Sequence, residues 1–135
     1  MRLINEMPIL APLIPRDDQR NSKVSFDVRP ASADHAPSCS SKGVLSQLAG
    51  SRADEVIADD CEVPNNSFTQ PMRDKLSEAV KEFEAILKPS GKITFLGTPQ
   101  VENSLYLTLE ERGYETRIWT ARYPNHKNNY GDRLA

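Results

Sequence analysis

Glu55-Val56-Ile57-Ala58-Asp59-Asp60 decides how this chain is read. A short, mostly apolar run ends abruptly in two adjacent carboxylates, as a buried strand of a parallel sheet does when its C-terminal end carries charge. Forward from there, Pro64, Asn65 and Asn66 make a loop, and Pro71 stands where a first helical position would be, with Thr69 or Gln70 as the cap. The helix that follows sets Met72, Leu76, Ala79, Val80, Phe83 and Leu87 on one stripe at spacings of three and four. Lys88-Pro89-Ser90-Gly91 stops it, and Lys92-Ile93-Thr94-Phe95-Leu96 is a second buried-strand candidate, ending at Gly97-Thr98-Pro99-Gln100. A second helix is predicted from about Glu102 to Arg112, with Leu105 and Leu109 inward and Gly113 as its stop. Tyr114 to Tyr123 alternates as a final strand around Ile118 and Trp119. Strand, helix, strand, helix, strand at this spacing predicts an α/β fold, a parallel sheet with flanking helices.

Backward from residue 50 the pattern weakens. Pro8, Pro12, Pro15, Pro30 and Pro37 punctuate the first forty residues, and only Val24 to Val28 alternates as a strand should. Ser38 to Lys42 reads as a Ser-rich link, and Val44-Leu45 as a short second strand. The expected organisation is an irregular segment over 1–23, a folded region over 24–124 and a polar tail over 125–135.

Bulk properties exclude several classes. The 135 residues suffice for one domain. Lys+Arg 17 against Asp+Glu 19 leaves no global field for nucleic acid, although Arg112, Arg117, Arg122, Lys127 and Arg133 make the last quarter mildly basic. Cys39 and Cys61 cannot form a disulfide framework, and His35 and His126 complete no zinc-ligand spacing. A reducing, cytosolic setting is expected. The apolar run Met7 to Ile14 is too short to span a bilayer, and no export signal follows it.

In a parallel sheet, ligands bind beyond the C-terminal ends of the strands. Two late strands end there in polar clusters, Asp59-Asp60-Cys61-Glu62 and Gly97-Thr98-Pro99-Gln100. Paired carboxylates on a strand tip suit a nucleoside-triphosphate site, where one holds the magnesium shell and a neighbour orients the attacking water. Thr98 and Gln100 could reach the γ-phosphate or its water from the neighbouring strand. Each motif has a plainer use: an Asp-Asp pair also serves as a solvated turn or a helix cap, and Gly-Thr-Pro as a strand-to-helix turn.

Gly50 to Glu62 as a whole resembles the Walker B region of phage large terminases, most closely the DNA maturase B group of short-tailed, autographivirus-type phages. Leu96-Gly97-Thr98-Pro99-Gln100 resembles that family's ATPase-coupling motif. The likeness continues in one register through Ser25-Phe26-Asp27-Val28, Asp34-His35-Ala36-Pro37-Ser38, Arg112-Gly113-Tyr114 and Ile118-Trp119 to Arg122-Tyr123-Pro124. It implies the C-terminal half of a P-loop NTPase-type ATPase domain, with ATP and Mg2+ as cofactors of the parent protein. Asp59 then matches the magnesium-associated aspartate, holding the ion through water. Asp60 takes the position of the catalytic glutamate, with Glu62 as a rival, and Thr98 and Gln100 match the coupling motif. Arg52 matches a family arginine, with an ion pair to Asp54 as the plain alternative. Ala49 and Thr120 depart from the residues that relatives often carry there.

The main departure is an omission. No Gly-x-x-x-x-Gly-Lys-Ser/Thr occurs, since Gly91-Lys92 lacks both the earlier glycine and the following hydroxyl. In the family that loop lies upstream and a nuclease domain downstream, so the resemblance implies a piece of the motor. The expected function is that of a large-terminase fragment, part of a machine that uses ATP hydrolysis to package double-stranded DNA into procapsids. Its expected partners are DNA, a small terminase subunit and the portal, with a homo-oligomeric ring in the parent and the host cytoplasm as location. The alternative is an inactive prophage remnant or split-gene product without catalysis of its own. A two-metal nuclease on Asp59, Asp60 and Glu62 is a further reading, disfavoured because such sites gather carboxylates from several strands. A superfamily-two helicase fits the flanking residues less well.

Overall fold

The computed structural model describes residues 2–122 and Leu134. The segment expected to be irregular contains two short helical pieces, α1 (Arg2–Glu6) and a 3-10 turn over Pro8–Leu13. Of the alternating stretch at Val24 to Val28, only β1 (Ser25–Phe26) forms a strand. Its antiparallel partner is β2 (Cys39–Ser40), inside the Ser-rich link and not at Val44-Leu45. There the chain turns instead, with the Ser46 amide donating to the Gly43 carbonyl at 2.9 Å.

Within the N-terminal region, one guanidinium spans two separate stretches. Arg20 donates through Nε to the Asp27 carboxylate at 2.9 Å, and through its two terminal nitrogens to the carbonyls of Asp34, His35 and Ala36. Asp27 in turn accepts the Ser38 amide at 3.0 Å. The two stretches Ser25 to Val28 and Asp34 to Ser38 are thereby tied together.

The second half holds the α/β layer. β3 (Ala53–Asp59) and β4 (Leu87–Leu96) pair in parallel, from Glu55 opposite Lys92 to Asp59 opposite Leu96. Between them run α2 (Pro64–Ser67) and α3 (Gln70–Ile86), the crossover that parallel strands require. Thr69 is the N-cap residue of α3 and Pro71 lies in its first turn, where a missing N–H is harmless. β4 follows α3 without a loop. Lys88 to Gly91, expected to stop the helix and lie outside the strand, form a bulge in it: the register runs from Ala53 opposite Leu87 directly to Glu55 opposite Lys92. Ser90 sits there in the left-handed region, at φ 67°.

Alternation sorts the strands into two faces. Val56, Ala58, Ile93 and Phe95 face a core that also holds Leu48, Cys61, Leu76, Val80, Phe83, Ile86, Leu105 and Leu109. Phe95 stacks on Phe83 at 6.0 Å between ring centroids and meets Tyr114 edge-on at 5.3 Å. The other face carries Glu55, Ile57, Asp59, Lys92, Thr94 and Leu96. Among the described residues it is uncovered, with Ile57 62% exposed and Lys92 paired to Glu55 at 3.0 Å. Both strands were expected to be buried, and among the described residues each is covered on one face only.

α4 (Leu105–Glu111) starts three residues later than expected, because the Ser104 Oγ accepts the Tyr106 amide and caps the helix. Leu105 and Leu109 are buried as expected. Tyr114 to Arg122 forms no strand among the described residues; one isolated bridge joins Ile118 to Leu134, and Trp119 is 76% exposed. Tyr123 and the tail expected over 125–135, Leu134 apart, lie outside the described residues. The architecture is thus mixed α/β, with a two-stranded parallel sheet and flanking helices. No helix among the described residues is long and apolar enough to cross a membrane.

Candidate functional site

The two polar clusters meet because parallel pairing brings both strands to the same end. Asp59 lies opposite Leu96, and the Asp60 amide extends the ladder by donating to the Leu96 carbonyl at 2.9 Å. Asp60 then turns the chain at φ 45°, a left-handed conformation that a short polar side chain tolerates. Both carboxylates are exposed. Neither accepts a hydrogen bond or ion pair from a described residue.

Glu62 behaves differently. It is 2% exposed, and both oxygens are engaged. Oε1 accepts the Gln100 amide at 2.7 Å; Oε2 accepts the Leu105 amide at 2.6 Å and the Ser104 hydroxyl at 3.0 Å. A buried carboxylate is stable when donors surround it so fully. The same residues link the second cluster to the first. Thr98 and Gln100 are exposed, and the Gln100 side-chain amide donates to the Thr98 carbonyl at 3.1 Å.

The cluster rests on a close approach at Gly97. A Cβ there would lie 1.8 Å from the Tyr106 hydroxyl oxygen. Burial, first, pushes the Tyr106 phenol up, so it keeps its proton and can donate toward the Leu96 carbonyl at 3.4 Å. Burial and then the Asp59 and Asp60 charges push the Cys61 thiol up as well, which disfavours the thiolate that metal binding or nucleophilic attack needs.

Asp59, Asp60, Thr98 and Gln100 therefore line one rim of the sheet, while Glu62 lies beneath it. No group of three or more His, Cys, Asp or Glu able to hold a metal ion comes together among the described residues. Asp59 still suits magnesium, since an exposed carboxylate is a hard oxygen donor and this ion commonly takes one or two carboxylates with water and phosphate oxygens. Arg52 donates to the Ser51 carbonyl, and Asp54 pairs with Lys88 at 2.9 Å in place of the anticipated Arg52 partner.

Ser104 and Tyr106 escaped the sequence reading. A serine directly before an apolar helical run is an N-cap signal, which could have revealed Ser104; nothing local marks Tyr106.

No family model matches the chain. Among curated proteins, it is similar to a terminase large subunit of Enterobacteria phage T3, 51% identical over 139 aligned positions. The alignment covers 98% of this chain and 24% of that relative. By that identity along nearly its whole length, the chain belongs with the phage terminase large subunits, as a stretch spanning about a quarter of the relative it matches.

Proposed function

We propose that this stretch serves viral DNA packaging as one side of the ATP site of a terminase motor. The observation carrying the reading is the pair of exposed carboxylates, Asp59 and Asp60, without a partner among the described residues, on a strand tip beside the segment bearing Thr98 and Gln100. The likeness to a terminase large subunit supports it. Asp59 holds magnesium through water at the end of β3. Bound there, the ion would neutralise charge on the β- and γ-phosphates. Asp60 orients the attacking water; of the two acidic rivals its carboxylate is exposed and has no partner among the described residues, whereas both Glu62 oxygens are already engaged. Thr98 and Gln100 face the γ-phosphate side, and a P-loop NTPase-type sheet supplies the phosphate cradle from other residues. Double-stranded DNA, a small terminase subunit, a portal and a ring of copies are the partners this reading entails.

The test uses a terminase large subunit containing this stretch. Asp60→Asn keeps magnesium-nucleotide binding and cuts ATP turnover by about 10²-fold or more, the usual scale for losing a general base. Asp59→Asn weakens magnesium dependence as well as rate. Turnover unchanged in both variants would overturn the reading. This chain alone, with no P-loop amides or lysine to grip the phosphates, is expected to give no steady ATP turnover. Hydrolysis by the pure chain that Asp59→Asn abolishes would contradict the half-site assignment.

A further inference from the structure

We propose that Glu62 is a positioning residue that holds the Thr98–Gln100 segment at a fixed offset from the Asp59-Asp60 tip. The catalytic half of this proposal rests on the reading of the ATP site above; the structural half does not.

Three observations converge on the one side chain. Glu62 leaves β3 only three residues after Asp59, so its backbone moves with the strand tip. Its carboxylate reaches residues 38, 42 and 43 positions away, at the Gln100 amide, the Ser104 hydroxyl and the Leu105 amide. The two oxygens divide the work: Oε1 takes the loop after β4, and Oε2 takes the start of α4. Gln100 is itself exposed, so this amide bond is what anchors its backbone inward. A carboxylate buried at 2% exposure with its two oxygens bonded to three donors is a strut, not a base with room for water.

The chemistry makes the strut specific to a carboxylate. All three groups facing it donate hydrogen bonds in this arrangement. In Glu62→Gln one oxygen becomes an NH2, which must point at an N–H or hydroxyl and leaves a buried donor unpaired. The Asp59-Asp60 tip and the Thr98–Gln100 segment are then joined only through the strand ladder that ends at Asp60 and Leu96, and lose the tie beyond it, while their own side chains stay intact.

Amide hydrogen exchange on this chain is the direct test. In the unaltered chain, the Gln100 amide should exchange at least about tenfold more slowly than the Thr98 amide, although both lie in the same exposed loop. In Glu62→Gln, protection at Gln100 or Leu105 should fall by about tenfold or more while the amides of Leu76 and Val80 keep theirs. In a terminase large subunit containing this stretch, Glu62→Gln should lower kcat with the KM for ATP nearly unchanged. Equal exchange at Gln100 and Thr98 in the unaltered chain, a reading that needs no variant to fold, would overturn the proposal. So would a loss of turnover with both amides still protected, since Glu62 would then act on the reaction directly. Loss of protection with no ATPase site at Asp59 and Asp60 would keep the strut and remove only the nucleotide reading.

Discussion

The Tyr106 side chain lies across Gly97, so close that a Cβ at Gly97 would meet its hydroxyl oxygen at 1.8 Å and its Cζ at 2.5 Å. Neither contact is survivable without movement, and the tyrosine would have to swing away from the Leu96 carbonyl. Gly97→Ala should therefore destabilise the chain by about 1–3 kcal/mol, the range for overpacking. In a Tyr106→Ala background the same substitution should be nearly neutral. Urea unfolding of the four proteins in this cycle checks the coupling; an equal Gly97→Ala penalty in both backgrounds would separate the two residues.

Leu76 and Met72 lie on the same predicted stripe of α3, yet Leu76 is 1% exposed and Met72 is 42% exposed. Leu76→Ala should cost about 2–5 kcal/mol and Met72→Ala less than about 1 kcal/mol. Comparable shifts in the unfolding midpoint would mean that the helix is rotated relative to the sheet.

That contrast also marks how far the fold could be read from residues alone. The 3.6-residue period located α3, and the short apolar runs located β3 and the Lys92 to Leu96 part of β4, because each element is shaped by its own neighbours in sequence. Coverage is a tertiary fact. Ile57 looked buried because its run was apolar, but among the described residues only one face of the sheet meets a helix. Tyr114 to Tyr123 alternated as a strand should, yet a strand needs a paired neighbour, and only the isolated bridge at Ile118 exists among the described residues. At the site, the meeting of the two polar clusters followed from parallel pairing. The burial of Glu62 did not, because Ser104 and Leu105 lie more than forty residues along the chain.

Asp27 should give the N-terminal region an acid sensitivity. The side-chain bond from Arg20, helped by the amides of Ser38 and Arg20, holds its carboxyl below the ordinary value of 3.8 in spite of burial. A depressed folded-state pKa contributes stability that is complete above the ordinary value and is lost as pH falls through the folded one. Protection of the Arg20 and Ser38 amides, which both donate to Asp27, should thus drop as pH is lowered below 3.8. Asp27→Asn should weaken the region at neutral pH and flatten this response. An equally steep acid loss in Asp27→Asn would assign it to another group.

The bulge at Lys88 to Gly91 predicts opposite signs for two adjacent substitutions. Ser90→Gly should stabilise the chain by about 0.5–1 kcal/mol, because glycine accepts the left-handed backbone that serine is forced into, less its added freedom when unfolded. Gly91→Ala should destabilise it, since the new Cβ would sit 3.0 Å from the Lys88 carbonyl and 3.1 Å from the Asp54 carbonyl. Thermal melts of both variants decide the matter; the same sign in each would remove the bulge from consideration.

Ile57 and Leu96, on the uncovered face, should make the chain associate with itself as concentration rises. Ile57→Lys places a charge between Glu55 and Asp59 on that face and should shift the sedimentation profile toward monomer. Identical profiles for the two proteins would place the contact elsewhere.

The fan of bonds around Arg20 bears on how this sequence can drift. Its guanidinium holds the backbone carbonyls of Asp34, His35 and Ala36, and touches none of their side chains through a hydrogen bond. Those three positions can change identity without altering the path of the chain, whereas Arg20 itself has no substitute, because lysine offers one point of charge where a planar fork is required. A change at any one of the three acceptors should accordingly leave the loop's course intact, whereas loss of the single donor should release all three carbonyls at once, so that the loop owes its shape to a side chain outside itself.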